Sequence, residues 1–500
     1  YRWMGGILPY ADSWVWAMRA LPALFGSLMI PLGYGLGRLA VSPRVGLATA
    51  ALIAVSPCAV YLSQEARHYT LPMALIAVAL GLLLRLQQAP ESPGRRTRGG
   101  LWVAWAIVNL IGLYVHYFFL LTVVAQAIAF SLWVGQGAGD MKPSSRRTYL
   151  QGLGIALVII VLGYLPWLPT MLSHLSRPET DWLKPYNPDW RDRLAPLYQI
   201  PSGWILSVVA LPLENQPTAI AVPAAIGMLV VGVGLGGYTV RGLWQLRRSP
   251  AIRFLATFVG GVLLQFLAIV YVLDKDITAI PRYNFVYYPA LVVLIAAGLT
   301  ASPQKAIEKG QRSYSLWSPI TVALLAGVLS SLLVVQGIVF QKGYRPDQVA
   351  QDIIFEVDVP ILMAVSYQSL QEVALGLSFA LELQRQTDRD AAAPSQPVAL
   401  AFVYREGGYG PVWQQFLQLQ PDLPLPLNLW VVASPGMKTK DYPNRLRLRI
   451  QTGGAIQTVG IGRCAIVPER FNRIGFPYQL FRCQAPGQPP RQPSKQPSGE

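Results

Sequence analysis

The sequence predicts an α-helical polytopic membrane protein that ends in a small soluble domain of α/β or α+β type. Of its 500 residues, 53% are hydrophobic and only 13% are charged. Several apolar stretches reach the roughly 20 residues that a helix needs to cross a bilayer. After residue 340 this pattern gives way to shorter β-rich runs. These three observations define a transmembrane domain over residues 1–340 and a soluble domain over residues 341–485.

About ten spans are predicted in the transmembrane domain. Lys and Arg accumulate in every second loop, and the positive-inside rule assigns those loops to the cytoplasm. The opposite loops, residue 1 and the C-terminal domain are then extracytoplasmic, in a multi-pass protein of the plasma or inner membrane. The predicted spans are 18–38, 45–63, 71–88, 101–116, 118–135, 151–171, 217–239, 253–273, 284–301 and 316–339.

The net charge of +16 raises the question of nucleic-acid binding. The basic residues fall mainly in short loops between spans, where they act as topology determinants. They do not gather on one soluble face, as a nucleic-acid footprint requires. We therefore expect membrane lipids as partners and no nucleic acid.

The chain begins at Tyr1 without a signal peptide and without a span before residue 18. Residue 1 falls on the predicted outer side of the membrane. We therefore expect a first transmembrane helix and part of the first outer loop to precede Tyr1.

The soluble domain contains four β-rich runs and one helical stretch, which favour an α/β or α+β fold. Three cysteines in the whole chain exclude a disulfide scaffold, and Cys58 lies in a span. Cys464 and Cys483 can pair in an oxidising compartment, but spacing alone leaves this open. Residues 486–500 are rich in Pro, Gln and Ser and are predicted to be disordered. The runs are Pro360–Ser366, Val398–Tyr404, Leu429–Ser434 and Leu446–Thr452, and the helix is Ser369–Gln384.

A polar run between two apolar helices holds Glu65, Arg67, His68 and Tyr69. Ionisable residues at the edge of a membrane domain are costly, which makes them candidates for function. Each also has a structural interpretation. Arg67 could anchor at the lipid headgroups, and Glu65 could form an ion pair with Arg67 or Arg19. His68 could simply hydrogen-bond to its local surroundings, and Tyr69 could belong to an aromatic belt.

Further candidates lie at the same predicted face. His116 sits among aromatic residues at a helix end, where it forms either an aromatic belt or a site wall. Arg282 and Tyr283 follow a proline at the start of a span. The loop 173–216 is long for a connector, and such loops are often functional covers. Its Asp181, Trp182 and Lys184 could bind a sugar, or the loop could form an amphipathic helix on the membrane surface.

Four stretches occur in a diagnostic order: Trp16–Gly26, Ala54–Tyr69, Tyr114–Phe119 and Pro281–Pro289. In this order they resemble the GT-C membrane glycosyltransferases of the protein O-mannosyltransferase type. Bacterial relatives of the aminoarabinose transferase kind (glycosyltransferase family 39-like) share the pattern. The resemblance covers roughly residues 10–300.

The resemblance implies an enzyme that moves a hexosyl or pentosyl group from a polyprenyl-phosphate donor to a lipid, glycan or protein acceptor. Transfer takes place on the outer side of the membrane, usually with inversion. The acidic catalytic residue of the family lies in the first outer loop, and that position falls before Tyr1 here.

Among the residues present, Glu65, Arg67 and Arg282 are the catalytic candidates, with the two arginines suited to phosphate because of their planar, permanently charged fork. No cluster of residues has the spacing of zinc ligands, so the sequence identifies no cofactor. Whether a divalent cation takes part is left open. The candidates for donor or substrate binding are Arg19, His68, Tyr69, His116, Asp181, Trp182, Lys184 and Tyr283.

Two other functions compete with this interpretation. A transporter or lipid flippase predicts ionisable residues near mid-span and inverted repeats, whereas here the charges cluster at one face. A non-catalytic envelope scaffold predicts that the outer-loop charges tolerate substitution. The pattern GxGxxG at 232–237 lies inside a span without a preceding strand, so it predicts helix packing and no dinucleotide site.

Overall fold

The computed structural model consists of two compact units, residues 1–341 and 342–500, and each unit is described by itself. The predicted disordered tail lies outside the described residues. Those residues are 13–88, 95–136, 142–175, 190–214, 216–301, 318–341, 344–356, 359–389, 397–406, 408–419, 423–434, 437–452 and 458–484.

The described part of the first unit is helical. Short 3-10 turns, Leu165–Trp167 and Pro281–Val286, lie between some of the α-helices. In chain order the helices are α1 (Ser13–Ala40), α2 (Pro43–Val55), α3 (Pro57–Gln64), α4 (Thr70–Gln88), α5 (Arg95–Val115), α6 (Phe119–Gln136), α7 (Pro143–Tyr164), α8 (Leu168–Leu175), α9 (Trp190–Leu206), α10 (Thr218–Gln245), α11 (Pro250–Leu273), α12 (Tyr288–Thr300) and α13 (Pro319–Val335).

Seven helical stretches in the described residues are long and apolar enough to cross a membrane: α1, α4, α5, α6, α7 continuing into α8, α10 and α11. The bent pair α2–α3 adds an eighth, and α12 and α13 are apolar but shorter. Every predicted span therefore coincides with a helix or a helix pair. The predicted polytopic helical class is confirmed.

The predicted span over 45–63 is wrong in one respect, because the helix breaks at Ser56 with a bend of 54°. Pro57 lacks an amide hydrogen and disfavours helical backbone at the residue before it. Ser56 is accordingly extended, with φ −70° and ψ 119°. Its hydroxyl donates to the Ser207 carbonyl at 2.7 Å and accepts from the Ala59 amide at 3.4 Å. These hydrogen bonds satisfy polar groups at the break in the helix.

Two helix pairs approach so closely that only glycine fits between them. Between α1 and α2, a Cβ on Gly37 would lie 2.7 Å from Thr49 Oγ1 and 3.0 Å from the Gly46 Cα. Between α10 and α12, a Cβ on Gly298 would lie 2.5 Å from the Thr239 carbonyl oxygen and 2.7 Å from its Cα. Small residues at such contacts let helix backbones pack directly in a membrane.

A buried polar network joins α5 to α6. The Trp105 indole donates to Gln126 Oε1 at 2.8 Å, and Gln126 Nε2 donates to Asn109 Oδ1 at 3.2 Å and to Thr122 Oγ1 at 3.3 Å. None of these side chains is exposed. Hydrogen bonds of this kind hold transmembrane helices together without leaving polar atoms in hydrocarbon.

The second unit is built on a six-stranded sheet of order β2-β1-β3-β6-β5-β4. β1 pairs in parallel with β2 and β3, and the remaining pairs are antiparallel. The predicted soluble domain of mixed α and β structure is confirmed. Its elements are α14 (Pro346–Ile353), β1 (Ile361–Tyr367), α15 (Leu370–Arg389), β2 (Val398–Tyr404), α16 (Tyr409–Gln415), β3 (Leu427–Val432), β4 (Arg445–Thr452), β5 (Thr458–Ile474) and β6 (Phe476–Gln484).

Helices cover opposite faces of the parallel part of this sheet. Phe379 and Leu383 of α15 belong to the core on one face, and Val412 of α16 belongs to the core on the other. Cys464 and Cys483, whose pairing the sequence leaves open, lie directly opposite each other on β5 and β6 and form a disulfide.

We expect Gly298→Ala to destabilise the helical unit, because its Cβ meets the backbone of Thr239, which cannot rotate away. Overpacking of this kind costs about 1–3 kcal/mol. Gly234→Ala on α10 is the matched control, since nothing lies within 4 Å of its Cβ position. The thermal unfolding midpoint in detergent should fall for the first variant and be unchanged or higher for the second. Equal midpoints would contradict the close contact of α10 and α12.

Candidate functional site

Three turns meet at one end of the helical unit. The first is residues 65–69 between α3 and α4, the second is residues 116–118 between α5 and α6, and the third is the 3-10 turn at 281–286. Aromatic rings from all three contact one another. We refer to this arrangement as the three-turn cluster.

The His116 ring lies at the centre of the cluster. Its centroid is 5.2 Å from that of His68, 5.8 Å from that of Tyr69 and 4.8 Å from that of Phe285. The second and third turns also meet where the Phe118 ring lies 4.8 Å from the ring of Tyr283. Four predicted substrate-binding residues, on turns far apart in sequence, are thus brought together.

The backbone of the first turn is not helical. α3 ends at Gln64, Glu65 is extended with φ −77° and ψ 132°, and the Arg67 amide donates to the Glu65 carbonyl at 2.7 Å. On a helix Glu65 and Arg67 would not face each other, because they are two positions apart. The extended backbone at Glu65 removes this restriction on their contact. The Thr70 hydroxyl donates to the Pro22 carbonyl at 3.0 Å and so ties the end of the turn to α1.

The guanidinium groups of Arg282 and Arg67 both act on the hydroxyl of Tyr283. The Arg282 side chain hydrogen-bonds this hydroxyl, and its guanidinium carbon lies 5.6 Å from the Tyr283 ring centroid. Arg67 from the first turn is also close enough to act on the same hydroxyl electrostatically. The Arg282 Nε atom is buried and makes no hydrogen bond within the described residues, so the group retains a donor for a ligand.

The same two arginines act on the hydroxyl of Tyr61 on α3, together with the carboxylates of Glu65 and Glu214. The three predicted catalytic candidates therefore share one electrostatic neighbourhood. Two cations and two carboxylates thus act on the Tyr61 hydroxyl, and the two cations also act on that of Tyr283.

Glu214 is a residue that sequence reasoning missed. It lies between α9 and α10, and its Oε2 accepts from the Gln341 amide at 2.7 Å. No motif surrounds it. It is, however, the single acidic residue between Asp192 and Asp274, and that isolation in an apolar region was a signal available from the sequence.

Hydrogen bonds fix the segment that leads into the third turn. Asp276 Oδ1 accepts from the amides of Thr278 at 3.1 Å and Ala279 at 3.2 Å. The Thr278 hydroxyl lies 2.6 Å from Gln199 Oε1 on α9 and 2.7 Å from Asp276 Oδ1. Helix α9 thereby holds the backbone that carries Arg282.

A cleft of about 210 Å³ opens between α1 and the first turn. Its wall on α1 is apolar, whereas the first turn contributes a guanidinium and an imidazole. Such a cleft suits an amphiphile that has an apolar chain and an anionic head. It is lined by Leu21, Pro22, Phe25, Ala66, Arg67, His68, Thr70 and Leu71.

The remaining sequence candidates lie elsewhere. Arg19 is exposed on α1, three residues before Pro22, and makes no hydrogen bond or ion pair to a residue that the structure describes. Asp181, Trp182 and Lys184 lie outside the described residues. Within the described part of their loop, residues 190–206 form α9, whose exposed Trp190 and Leu194 fit the amphipathic-helix alternative for this segment.

The histidines of the cluster are poor proton acceptors. Burial, with a smaller contribution from His68, lowers the pKa of His116 to about 3. Desolvation and then the positive charge of Arg67 lower the pKa of His68. The His116 Nδ1 accepts from the Phe118 amide at 3.0 Å, which leaves the hydrogen of the neutral ring on Nε2. His116 is therefore a neutral hydrogen-bond donor at pH 7.

Within the described ranges, no three His, Cys, Asp or Glu side chains are grouped so as to hold a metal ion. The cluster instead offers guanidinium, imidazole and phenol donors. Its chemistry is that of an anion site with carboxylates at its edge.

Comparisons with known proteins returned sugar-transfer enzymes, but no family model matches the chain. A galactan 5-O-arabinofuranosyltransferase of Corynebacterium glutamicum is 35% identical over 99 residues, which are 18% of this chain and 15% of that protein. The match thus spans less than a sixth of that relative. By its name this relative is a glycosyltransferase, which is the class of enzyme that the sequence motifs resemble.

Similar solved structures include ArnT from Cupriavidus metallidurans bound to undecaprenyl phosphate, with a TM-score of 0.49, 12% identity and coverage of 96% of this chain and 86% of that chain. ArnT in the apo state has a TM-score of 0.46 at 13% identity, over 83% and 78% of the two chains. An oligosaccharyltransferase from Archaeoglobus fulgidus has a TM-score of 0.41 at 14% identity, over 75% and 50%.

The low pKa of His116 predicts a loss of stability in mild acid. The unfolded chain binds a proton near pH 6.5 and the folded chain only near pH 3, so stability present above pH 6.5 declines as the pH falls towards 3. Between pH 7.5 and pH 5 this linkage amounts to about 1–2 kcal/mol. In His116→Asn, which keeps a side-chain acceptor but does not titrate, the shift in the thermal unfolding midpoint between these pH values should shrink. An unchanged shift would contradict the burial of His116.

Proposed function

We propose that the chain is the body of a membrane glycosyltransferase that moves a sugar from a polyprenyl-phosphate donor to an acceptor on the outer side of the membrane. One observation carries this proposal. Arg67 and Arg282 act on the same two phenol hydroxyls, and Arg67 also lines a cleft whose wall on α1 is apolar. The local identity to an arabinofuranosyltransferase supports sugar transfer and suggests a pentosyl donor.

In this proposal the two guanidinium groups bind the donor phosphate. Arginine matches phosphate oxygens in a bidentate manner and stays charged in a desolvated site. The cleft along α1 would accept the first apolar units of the polyprenyl chain, next to Leu21 and Phe25. The headgroup and the chain would then meet at Arg67, which lines the cleft.

The proposed reaction is a direct displacement at the anomeric carbon. The bond between this carbon and the phosphate oxygen breaks as the bond to the acceptor oxygen or nitrogen forms, and the acceptor proton passes to a base. Negative charge grows on the departing phosphate, so fixed positive charge lowers the barrier. Glu65 would orient the arginines or the acceptor, and neutral His68, His116 and Tyr283 would donate hydrogen bonds.

Buried groups in the helical unit favour a transferase over an ion-coupled transporter. Transport predicts ionisable side chains inside the bundle. The buried polar side chains described between residues 13 and 341 are uncharged: Thr49, Ser56, Thr70, Asn109, Thr122, Gln126, Ser207, Thr278, Asn284 and Ser330.

We further propose that the second unit lies outside the cytoplasm, in the plasma or inner membrane topology that the loop charges predict. The disulfide between Cys464 and Cys483 supports this location. Disulfides persist in oxidising compartments and are rare in the cytosol. Lipid, glycan and protein acceptors are all available on that side.

Arg67→Gln and Arg282→Gln in the full-length protein should each lower kcat by about 10²–10³, because each removes a charge that stabilises the departing phosphate. Arg→Lys at either position should restore part of the rate, since it keeps the charge and loses the fork. The measurement is transfer from synthetic polyprenyl-phosphoryl pentose and hexose donors, with polyprenyl-phosphate binding followed separately by native mass spectrometry.

Arg193→Gln is the matched control for these variants, because Arg193 is an exposed arginine on α9 at some distance along the chain from the cluster. Its transfer rate should equal that of the unaltered protein. A double Arg67→Gln, Arg282→Gln variant that transfers at the normal rate would rule out the proposed phosphate site.

The proposed location predicts the redox state of the cysteines in cells. Protein denatured with N-ethylmaleimide, then reduced and treated with a polyethylene-glycol maleimide, should gain two additions. They correspond to Cys464 and Cys483, whereas the free thiol of Cys58 is blocked in the first step. A Cys464→Ser, Cys483→Ser variant should gain none. Complete blocking before reduction would argue for a reducing compartment.

A further inference from the structure

The β4–β5 hairpin of the second unit has two contrasting faces. Along β4 the side chains alternate, so that Leu446 and Leu448 are buried while Arg445, Arg447 and Arg449 are exposed. Arg463 of β5 is exposed as well and lies directly opposite Arg447. Four guanidinium groups therefore share one face of the hairpin. We call Arg445, Arg447, Arg449 and Arg463 the arginine face.

The arginine face carries uncompensated charge. None of its four side chains forms a hydrogen bond or an ion pair with a residue in the described part of the unit. The next position on this face, across β5 at Ala465, is Arg482 of β6, whose guanidinium is already paired with Glu356. Like charges directly opposite each other in an antiparallel pair destabilise the sheet, and here Arg447 faces Arg463. A polyanion bound over both would relieve this repulsion.

The surroundings of the arginine face indicate the kind of partner. Among the residues from 437 to 484 whose side chains the structure describes, which leaves out 450–461, no large hydrophobic side chain is exposed. Surfaces that insert into membranes combine basic residues with exposed apolar ones, and single-stranded nucleic acids stack on aromatic side chains. The side chains of this face that the structure describes, those of the four arginines and Ala465, show neither feature. Alternate residues on a strand are about 6.8 Å apart, so the three β4 arginines form a straight row that suits an extended chain of anionic groups.

We propose that the arginine face binds an anionic glycan whose carboxylates or phosphates follow β4. This goes beyond sugar transfer itself, and the binding does not require Arg67 or Arg282. Arg447 and Arg463 would share one anionic group, and Arg445 and Arg449 would contact its neighbours along the polymer. Such a face would hold an acidic envelope polysaccharide against the second unit.

The test uses the full chain in nanodiscs of neutral lipid, with polygalacturonate as the carboxylate probe and long-chain polyphosphate as the phosphate probe. An Arg445→Gln, Arg447→Gln, Arg449→Gln triple variant should bind the preferred probe at least tenfold more weakly at 0.1 M NaCl. The slope of log affinity against log salt should fall by about 2–3, as three released counterions require. The probe that responds identifies the anionic group.

The matched control removes the same charge from exposed residues of the first unit: Arg241→Gln, Arg248→Gln and Arg253→Gln. Its affinity should stay within twofold of that of the unaltered chain. Equal losses in the two triple variants would mean that only the net charge of the protein attracts the polymer, and the proposal would fail. No loss in either would also overturn it.

A stability measurement separates binding from a structural role. Without polymer, Arg463→Gln should unfold at the same temperature as the unaltered chain or at a higher one, because it removes the repulsion with Arg447. With the preferred probe, the rise in the unfolding midpoint should be smaller for this variant. A lower midpoint without polymer would show that Arg463 supports the fold, which would overturn the proposal. Both readouts are independent of transferase activity.

Discussion

The rest of the helical unit depends on one constraint, which is that backbone amides and carbonyls in hydrocarbon must be satisfied within the protein. A helix satisfies these groups by hydrogen bonds within its own backbone. Irregular backbone is therefore confined to helix ends or to places where side chains replace the missing hydrogen bonds. The break at Ser56 shows how narrow the exception is. It occurs where a serine hydroxyl can both accept from the Ala59 amide and donate to the Ser207 carbonyl. The three turns of the cluster lie at helix ends, where polar side chains can gather at the lowest cost.

Aromatic packing and charge have separate tasks in the cluster. The rings of Tyr69, His116 and Phe285 join three turns, the first and last of which are more than two hundred positions apart in sequence, and Tyr69 and Phe285 are buried. The charged groups stand at the edge of this aromatic core. The ring contacts and the hydrogen bond between Thr278 and Gln199 hold the turns that carry these groups.

Much of the fold follows from hydrophobic length and loop charge, and the ten predicted spans all recur as helices or helix pairs. Features that depend on a single residue are harder to predict from sequence patterns. The bend at Ser56 depends on Pro57, which a window of apolar residues does not register. Strands β5 and β6 are not predicted from the sequence, because glycines at 460 and 462 interrupt β5 and because apolar and polar residues do not strictly alternate in β6. The stretches 54–69, 114–119 and 281–289 identified the three turns of the site, whereas Glu214 has no motif and was found only through its neighbours in space.

The suppressed basicity of His116 and His68 has a consequence for how such a site meets its environment. An ordinary imidazole changes charge over the range in which external media commonly vary. In the cluster the His116 ring does not follow this behaviour, because its burial favours the neutral form, and guanidinium groups in general keep their charge. On the proposed topology, the headgroup of a lipid carrier would encounter nearly the same electric field in a neutral or a mildly acidic medium. Recognition of the headgroup would then depend little on the external pH, which the cell cannot buffer.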